Sequence, residues 1–138
     1  MEAQLVSFDK NNAPDIIRIR TLVFVDEQGI DSTVDFDGLD EVATHILIFS
    51  QNKAIATGRI LDDGHIGRIA VLKEHRKRGV GAKVLQTLLA SAEAKGFARV
   101  YLGSQIQAVD FYKKLGFTIC GEIFMDAGLE HIEMELFL

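Results

Sequence analysis

The chain has 138 residues, 48% of them hydrophobic and 25% charged, enough for one sizeable core, so a single domain spanning 1–138 is expected. Its formal net charge of −5 argues against general binding to nucleic acid or to an anionic membrane, both of which call for a basic face. The single cysteine, Cys120, excludes an internal disulfide and a cysteine-built metal site. Met1-Glu2-Ala3-Gln4 lacks signal-peptide character and no apolar stretch approaches the roughly 20 residues of a membrane span, so a soluble, cytoplasmic protein is expected.

Gln4 to Phe8 reads as a first strand. Asn11 or Asn12 then caps a helix with Pro14 in its first turn, Ile16, Ile19 and Val23 on one face, an end near Phe24 or Val25, and a stop at Gly29. Asp31, Asp35, Asp37, Asp40 and Glu41 follow without a compensating Lys or Arg. Two readings fit this acidic stretch: an attractor for a cationic ligand or a solvated loop. Its spacing matches no calcium loop. Strands are predicted at Thr44 to Phe49 and Ala54 to Leu61, joined by a polar turn, and Asp62-Asp63-Gly64 leads into a fourth strand, His65 to Leu72.

After that strand comes the basic turn Arg76-Lys77-Arg78-Gly79-Val80-Gly81, and then Val84, Leu85, Leu88, Leu89 and Ala92 recur with helical spacing up to Lys95-Gly96. A helix entered through a glycine turn offers unpaired N–H groups and the positive end of its dipole to a phosphate. A nucleotide-hydrolase loop is excluded because Ala82 follows Gly81, and a dinucleotide fingerprint because the third glycine is missing. Arg99 to Leu102 reads as a fifth strand, Gln107 to Leu115 as a short helix, Gly116-Phe117 as a break into a sixth strand through Cys120, and His131 to Phe137 as a last one. Hairpins imply a mainly antiparallel sheet of six to seven strands, and the crossover helix makes strands four and five a parallel pair, a mixed α/β fold flanked by helices.

Arg76, Gly79 and Gly81 satisfy the Gln/Arg-x-x-Gly-x-Gly/Ala motif of the GNAT superfamily of N-acetyltransferases, and Ala108 to Phe117 resembles its Ala-x-x-Phe-Tyr-x-x-x-Gly-Phe segment. Val23-Phe24-Val25-Asp26-Glu27-Gln28 and Asp126-Ala127-Gly128-Leu129-Glu130-His131 resemble the ElaA-like and YjcF-like branch. The chain departs from the pattern at Gln105, where an Asn often stands, and in strand four, which carries no Glu.

The resemblance implies acetyl transfer from acetyl-coenzyme A, without a metal, to the amine of a small molecule or peptide, with the paired strands splayed around the cofactor. The alternative on the same fold is a silent acyl-coenzyme A sensor or partner-binding module. By resemblance, the backbone from Arg76 through Lys77, Arg78, Gly79, Val80 and Gly81 to Ala82 holds the pyrophosphate, Ile69, Ala70 and Val71 pair with the pantetheine arm, and the Val71 N–H polarises the thioester. Tyr112 is the implied general acid, placed at the edge of a buried stripe of Ala108, Phe111 and Leu115. Glu27, His45, His65 and His131 are the candidate bases, with Glu27 and His45 preferred for adjoining the acidic stretch. Cys120 reads as core, and a homodimer through the last strands is an open expectation.

Overall fold

A computed structural model describes residues 1–138. The elements run β1 (Glu2–Val6), α1 (Ala13–Arg20), α2 (Ser32–Asp35), β2 (Thr44–Ser50), β3 (Lys53–Ile60), β4 (Ile66–Val71), α3 (Val80–Ala94), β5 (Arg99–Gln105), α4 (Val109–Lys114), β6 (Thr118–Asp126) and β7 (Leu129–Phe137). Their order is the one the sequence implies, with several boundaries moved. Asn12 stands at the N-cap of α1, but its side chain makes no cap bond; Asp9 Oδ1 instead accepts the Asn11 and Asn12 N–H groups at 3.0 Å each, in the turn that follows β1. The helix runs on as a π-helical segment, Thr21–Glu27, before Gly29 turns the chain at φ +71°.

β6 extends well past Cys120, because Ala127 and Gly128 both take positive φ and close a two-residue hairpin that pairs Asp126 with Leu129. An alanine at the first turn position hides that hairpin from sequence reading.

The strands form two sheets, β1-β2-β3-β4 and β5-β7-β6, each antiparallel within itself. Their connection is a parallel bridge between His65 and Tyr101, beyond which β4 and β5 diverge. The expected single sheet is thus split at its parallel pair, and a bulge in β4 accompanies the split. Thr57 pairs with Ala70 and Arg59 with Gly67, so Arg68 and Ile69 together face Gly58. Arg68 takes the extra turn at φ +55°. Gly58 is small for a reason: a Cβ there would stand 2.7 Å from Val84 Cγ1 and 3.3 Å from Leu88 Cδ1, so α3 seats directly over the bulge.

β3 is buried along both faces from Ala54 to Ile60. α3 covers one face with Val80, Val84, Leu85, Leu88 and Ala92, and α1 covers the other with Ile16 and Ile19. No helix is long and apolar enough to cross a membrane.

The acidic stretch is only partly a solvated loop: Asp31 and Glu41 are exposed, but Asp35 and Asp40 are buried. Those two and the partly exposed Asp37 are not free to attract a ligand, because three arginines from α1, β3 and β4 take them up. Arg20, fully buried, bonds Asp35 Oδ2 at 3.1 Å and Asp40 Oδ1 at 2.6 Å. Arg59 bonds Asp40 Oδ1 at 2.8 Å and Asp37 Oδ2 at 2.5 Å. Arg68 reaches Asp35 Oδ1 at 3.2 Å and Asp37 Oδ2 at 3.3 Å. Three positive and three negative charges thereby close on one another, which is the condition for burying any of them. Arginines inside otherwise apolar elements were the sequence signal for this network.

Candidate active site

The divergence of β4 and β5 opens a cleft of about 900 Å³. At one end lies the glycine turn. Lys77 and Gly79 both take positive φ, +63° and +75°, and Gly79 caps α3 in the left-handed conformation. This alternation curls the backbone so that successive N–H groups converge, an anion-binding concavity. None of the N–H groups from Lys77 to Ala82 is bonded within the chain; bonding resumes at Lys83, whose N–H meets Gly79 O at 3.1 Å. A Cβ on Gly79 would meet nothing within 4 Å, and one on Gly81 nothing nearer than Phe111 at 3.6 Å. The turn is therefore open on the side where a diphosphate would seat, and its donor set fits that of coenzyme A.

The cleft runs from the turn along the free edge of β4. The Leu72 N–H donates to Ile55 O at 2.9 Å on the β3 side. By strand alternation, the N–H and C=O of Val71 point the other way, into the cleft. Arg76 Nε donates to that Val71 oxygen at 3.0 Å. Across the cleft, Gln105 Nε2 donates to Gln28 Oε1 at 3.1 Å, joining β5 to the end of the π-helical segment.

Of the residues expected from sequence to hold the cofactor, Ile69, Ala70, Val71, Arg76, Lys77, Gly79, Val80, Gly81 and Ala82 all line this one cleft, and so does Tyr112. Arg78 is exposed and stands outside its lining. The Arg76 main chain is also withdrawn from the donor set, its N–H meeting Lys73 O at 3.4 Å.

Tyr112 is the inner residue of α4 rather than its edge. It packs against the core beside Val109 and Leu115, its ring edge-on to Phe117 at 5.9 Å, while Phe111 is the exposed one. A 3₁₀ turn over Ile106–Ala108 precedes α4, so a stripe counted from Ala108 loses its phase. Burial pushes the Tyr112 phenol up to about 12, which keeps it protonated at neutral pH.

Glu27 and His45, the preferred bases, are not brought to the cleft. His45 is buried beside Phe8, donating Nε2–H to Asp40 O at 2.8 Å, and burial holds its pKa below the usual value. Glu27 is spent on Arg76, bonding its two terminal nitrogens at 2.9 and 2.7 Å. The other two candidates, His65 and His131, do line the cleft. His65 stacks on Tyr101 at 4.7 Å, and burial lowers its pKa. His131 on β7 is 8% exposed and lies against Phe124 at 5.7 Å. Its Nδ1 stands 2.9 Å from Leu129 O. A carbonyl oxygen only accepts, so Nδ1 carries a proton, and in the neutral ring the lone pair is therefore on Nε2.

The last hairpin supplies residues that sequence reading missed. Phe124 lies over Gly103, where a Cβ would stand 2.9 Å from its ring, and Glu133 follows His131 on the same face of β7. Alternation along the last strand was the available signal. Cys120 is not core: its sulfur lies between Arg99, at 4.0 Å, and Glu133, at 3.6 Å. Burial and two nearby carboxylates push its thiol up, away from nucleophilic use. No group of three or more His, Cys, Asp or Glu side chains is placed to hold a metal ion.

The sequence model of the acetyltransferase (GNAT) domain matches residues 25–138. The uncharacterized N-acetyltransferase YjcF of Bacillus subtilis is 34% identical over 134 residues, covering 94% of this chain and 96% of that protein. YyaT of the same organism is 37% identical over 124 residues, 86% of this chain and 84% of its own. Among solved structures, Escherichia coli ElaA superposes with a TM-score of 0.89 at 28% identity, over 98% of this chain and 99% of that one.

Proposed function

The chain belongs to the GNAT acetyltransferase family, and on that premise we propose that it moves an acetyl group from acetyl-coenzyme A to the amine of a small molecule or peptide, by direct attack in a ternary complex. The observation that carries this reading is the run of unbonded N–H groups from Lys77 to Ala82 at the head of a cleft whose wall is the free edge of β4. Acetyl-coenzyme A bound there would supply the thioester that the amine attacks and the thiolate that leaves.

Each requirement of acyl transfer has a group in the cleft. Lys77 to Ala82 donate N–H groups to the diphosphate, and Gly79 and Gly81 leave the backbone uncovered for it. The Val71 N–H donates to the carbonyl oxygen as negative charge develops, a contribution on the order of 3 kcal/mol to the barrier. His131 Nε2 takes the ammonium proton, so that a neutral amine attacks. The Tyr112 hydroxyl donates its hydrogen to the departing sulfur. One C–N bond forms and one C–S bond breaks; the ammonium loses two protons, the first to His131 Nε2 and on to solvent, the second, shed by the nitrogen of the tetrahedral adduct, balancing the one that Tyr112 gives to the thiolate.

The test is a calorimetric titration with acetyl-coenzyme A, followed by a panel of amines monitored by thiol release. Saturable binding by the wild type, binding lost in a folded Gly79→Glu/Gly81→Glu variant, and amine-dependent thiol release are expected. A folded wild type that binds no acetyl-coenzyme A refutes the proposal.

A further inference from the structure

Glu27 and Arg76 are 49 residues apart and meet through two parallel hydrogen bonds, 2.9 and 2.7 Å long. The third guanidinium nitrogen is used as well, donating to Val71 O at 3.0 Å. One side chain therefore ties together three pieces of the cleft: the π-helical segment that ends at Glu27, the last residue of β4, and the first residue of the glycine turn. Each half of the pair is only about a third exposed, at 39% and 33%. A fork-to-fork pairing of this kind fixes direction as well as distance.

We propose that Glu27 is a positioning residue for cofactor binding: it locks the Arg76 guanidinium onto the Val71 carbonyl and so sets the glycine turn and the end of β4 at the spacing that acetyl-coenzyme A requires. The inference rests on the reading of the cleft as a coenzyme A site and adds a residue outside the cleft to it. Arg76 acts here as a strut rather than as a phosphate ligand. Glu27 stands outside the cleft lining, so its effect on the cofactor is exerted through Arg76.

The sign of the effect makes the proposal testable. Coenzyme A is a polyanion, and a carboxylate beside its phosphate-binding turn repels it. If Glu27 acted only through its charge, Glu27→Gln would tighten binding. A positioning role demands the reverse: Glu27→Gln raises the calorimetric Kd for acetyl-coenzyme A by about tenfold, as does Arg76→Lys, which keeps the charge and loses the fork.

The double variant should be no weaker than the worse of the two singles, because both remove one strut. Circular dichroism and thermal melting check that all three are folded, and the partly exposed position of the pair makes folding tolerant of both changes. Glu27→Gln binding as tightly as the wild type, or more tightly, overturns the proposal, and so do penalties that simply add. Absence of binding by the wild type itself is a different result, and it removes the coenzyme A reading on which this one stands.

Discussion

His65 and Tyr101 form the parallel bridge between the two sheets, and their rings stack 4.7 Å apart with their planes 5° from parallel. The joint is reinforced from one turn: Asp63 accepts the Tyr101 hydroxyl at 2.5 Å through Oδ2 and the His65 N–H at 3.0 Å through Oδ1, while the Tyr101 N–H meets Gly64 O at 3.0 Å. The cleft opens from this point, so the integrity of the joint sets its width.

Gly64 is the vulnerable part of the joint. It has φ +93°, and a Cβ there would lie 2.5 Å from the Arg99 backbone oxygen. Gly64→Ala should lose about 2–4 kcal/mol of stability, from the positive φ and the clash together. Gly79→Ala, with φ +75° and no atom within 4 Å of the added carbon, should lose only about 1 kcal/mol. Urea denaturation of the two variants checks the difference, and equal losses would refute the account of the joint.

The buried ion network predicts a pH dependence. Hydrogen bonds from Arg59 hold the Asp37 carboxyl well below the usual aspartate range. A depressed folded pKa means stability that is fully present above the unfolded value, near 4, and is lost as pH falls toward the folded one. Asp37→Asn should therefore cost about 2 kcal/mol at pH 7, and the gap to wild type should narrow steadily below about pH 4. Urea midpoints at pH 7, 4 and 3 measure it. A gap that stays constant across this range would show that Asp37 is not ionised to advantage in the fold.

Much of this architecture was legible because local signals agreed with one another. The hairpin at Ser50 to Lys53, the glycine turn and the amphipathic α3 each read correctly from spacing alone. What the sequence hid were long-range pairings. Asp35, Asp37 and Asp40 look like a solvated acidic loop until Arg20, Arg59 and Arg68 arrive from three other elements, 15 to 33 residues away along the chain at Asp35. Glu27 looks like a base until Arg76 claims it. His131 was one of four candidate bases and stood behind Glu27 and His45; its place on the cleft wall keeps it in the running and its carbonyl partner sets it apart. Charge tells which residues need partners, and the fold decides which partners they find.

Tyr112→Phe removes the hydroxyl and keeps the ring that packs on Phe117. Acetyl-coenzyme A affinity should stay within about twofold, while kcat falls about 10²-fold, the lower end of the range for a positioned acid. Since burial pushes the phenol up to about 12, it remains a donor throughout the range in which the protein is assayed, and its ionisation should produce no fall in kcat between pH 7 and 10. A variant with wild-type kcat, assayed by thiol release, would remove Tyr112 from the mechanism.

His131→Gln tests the base. Nδ1–H is committed to Leu129 O, so the only basic site on the ring is Nε2, and glutamine provides no equivalent for accepting a proton. An alkylamine reaches the cleft as an ammonium ion and must be deprotonated before it attacks, whereas an arylamine such as aniline arrives neutral. The variant should thus lose kcat/KM by about 10²-fold or more toward alkylamines that the wild type accepts. Any turnover of aniline should change little, and the Kd for acetyl-coenzyme A should not change. His65→Gln, made at another histidine of the cleft, provides the comparison. If it reproduces the alkylamine-selective loss and His131→Gln does not, the proton goes to the histidine of the β4–β5 joint. Equal loss toward both classes of amine in His131→Gln would show that the residue shapes the acceptor pocket without taking the proton.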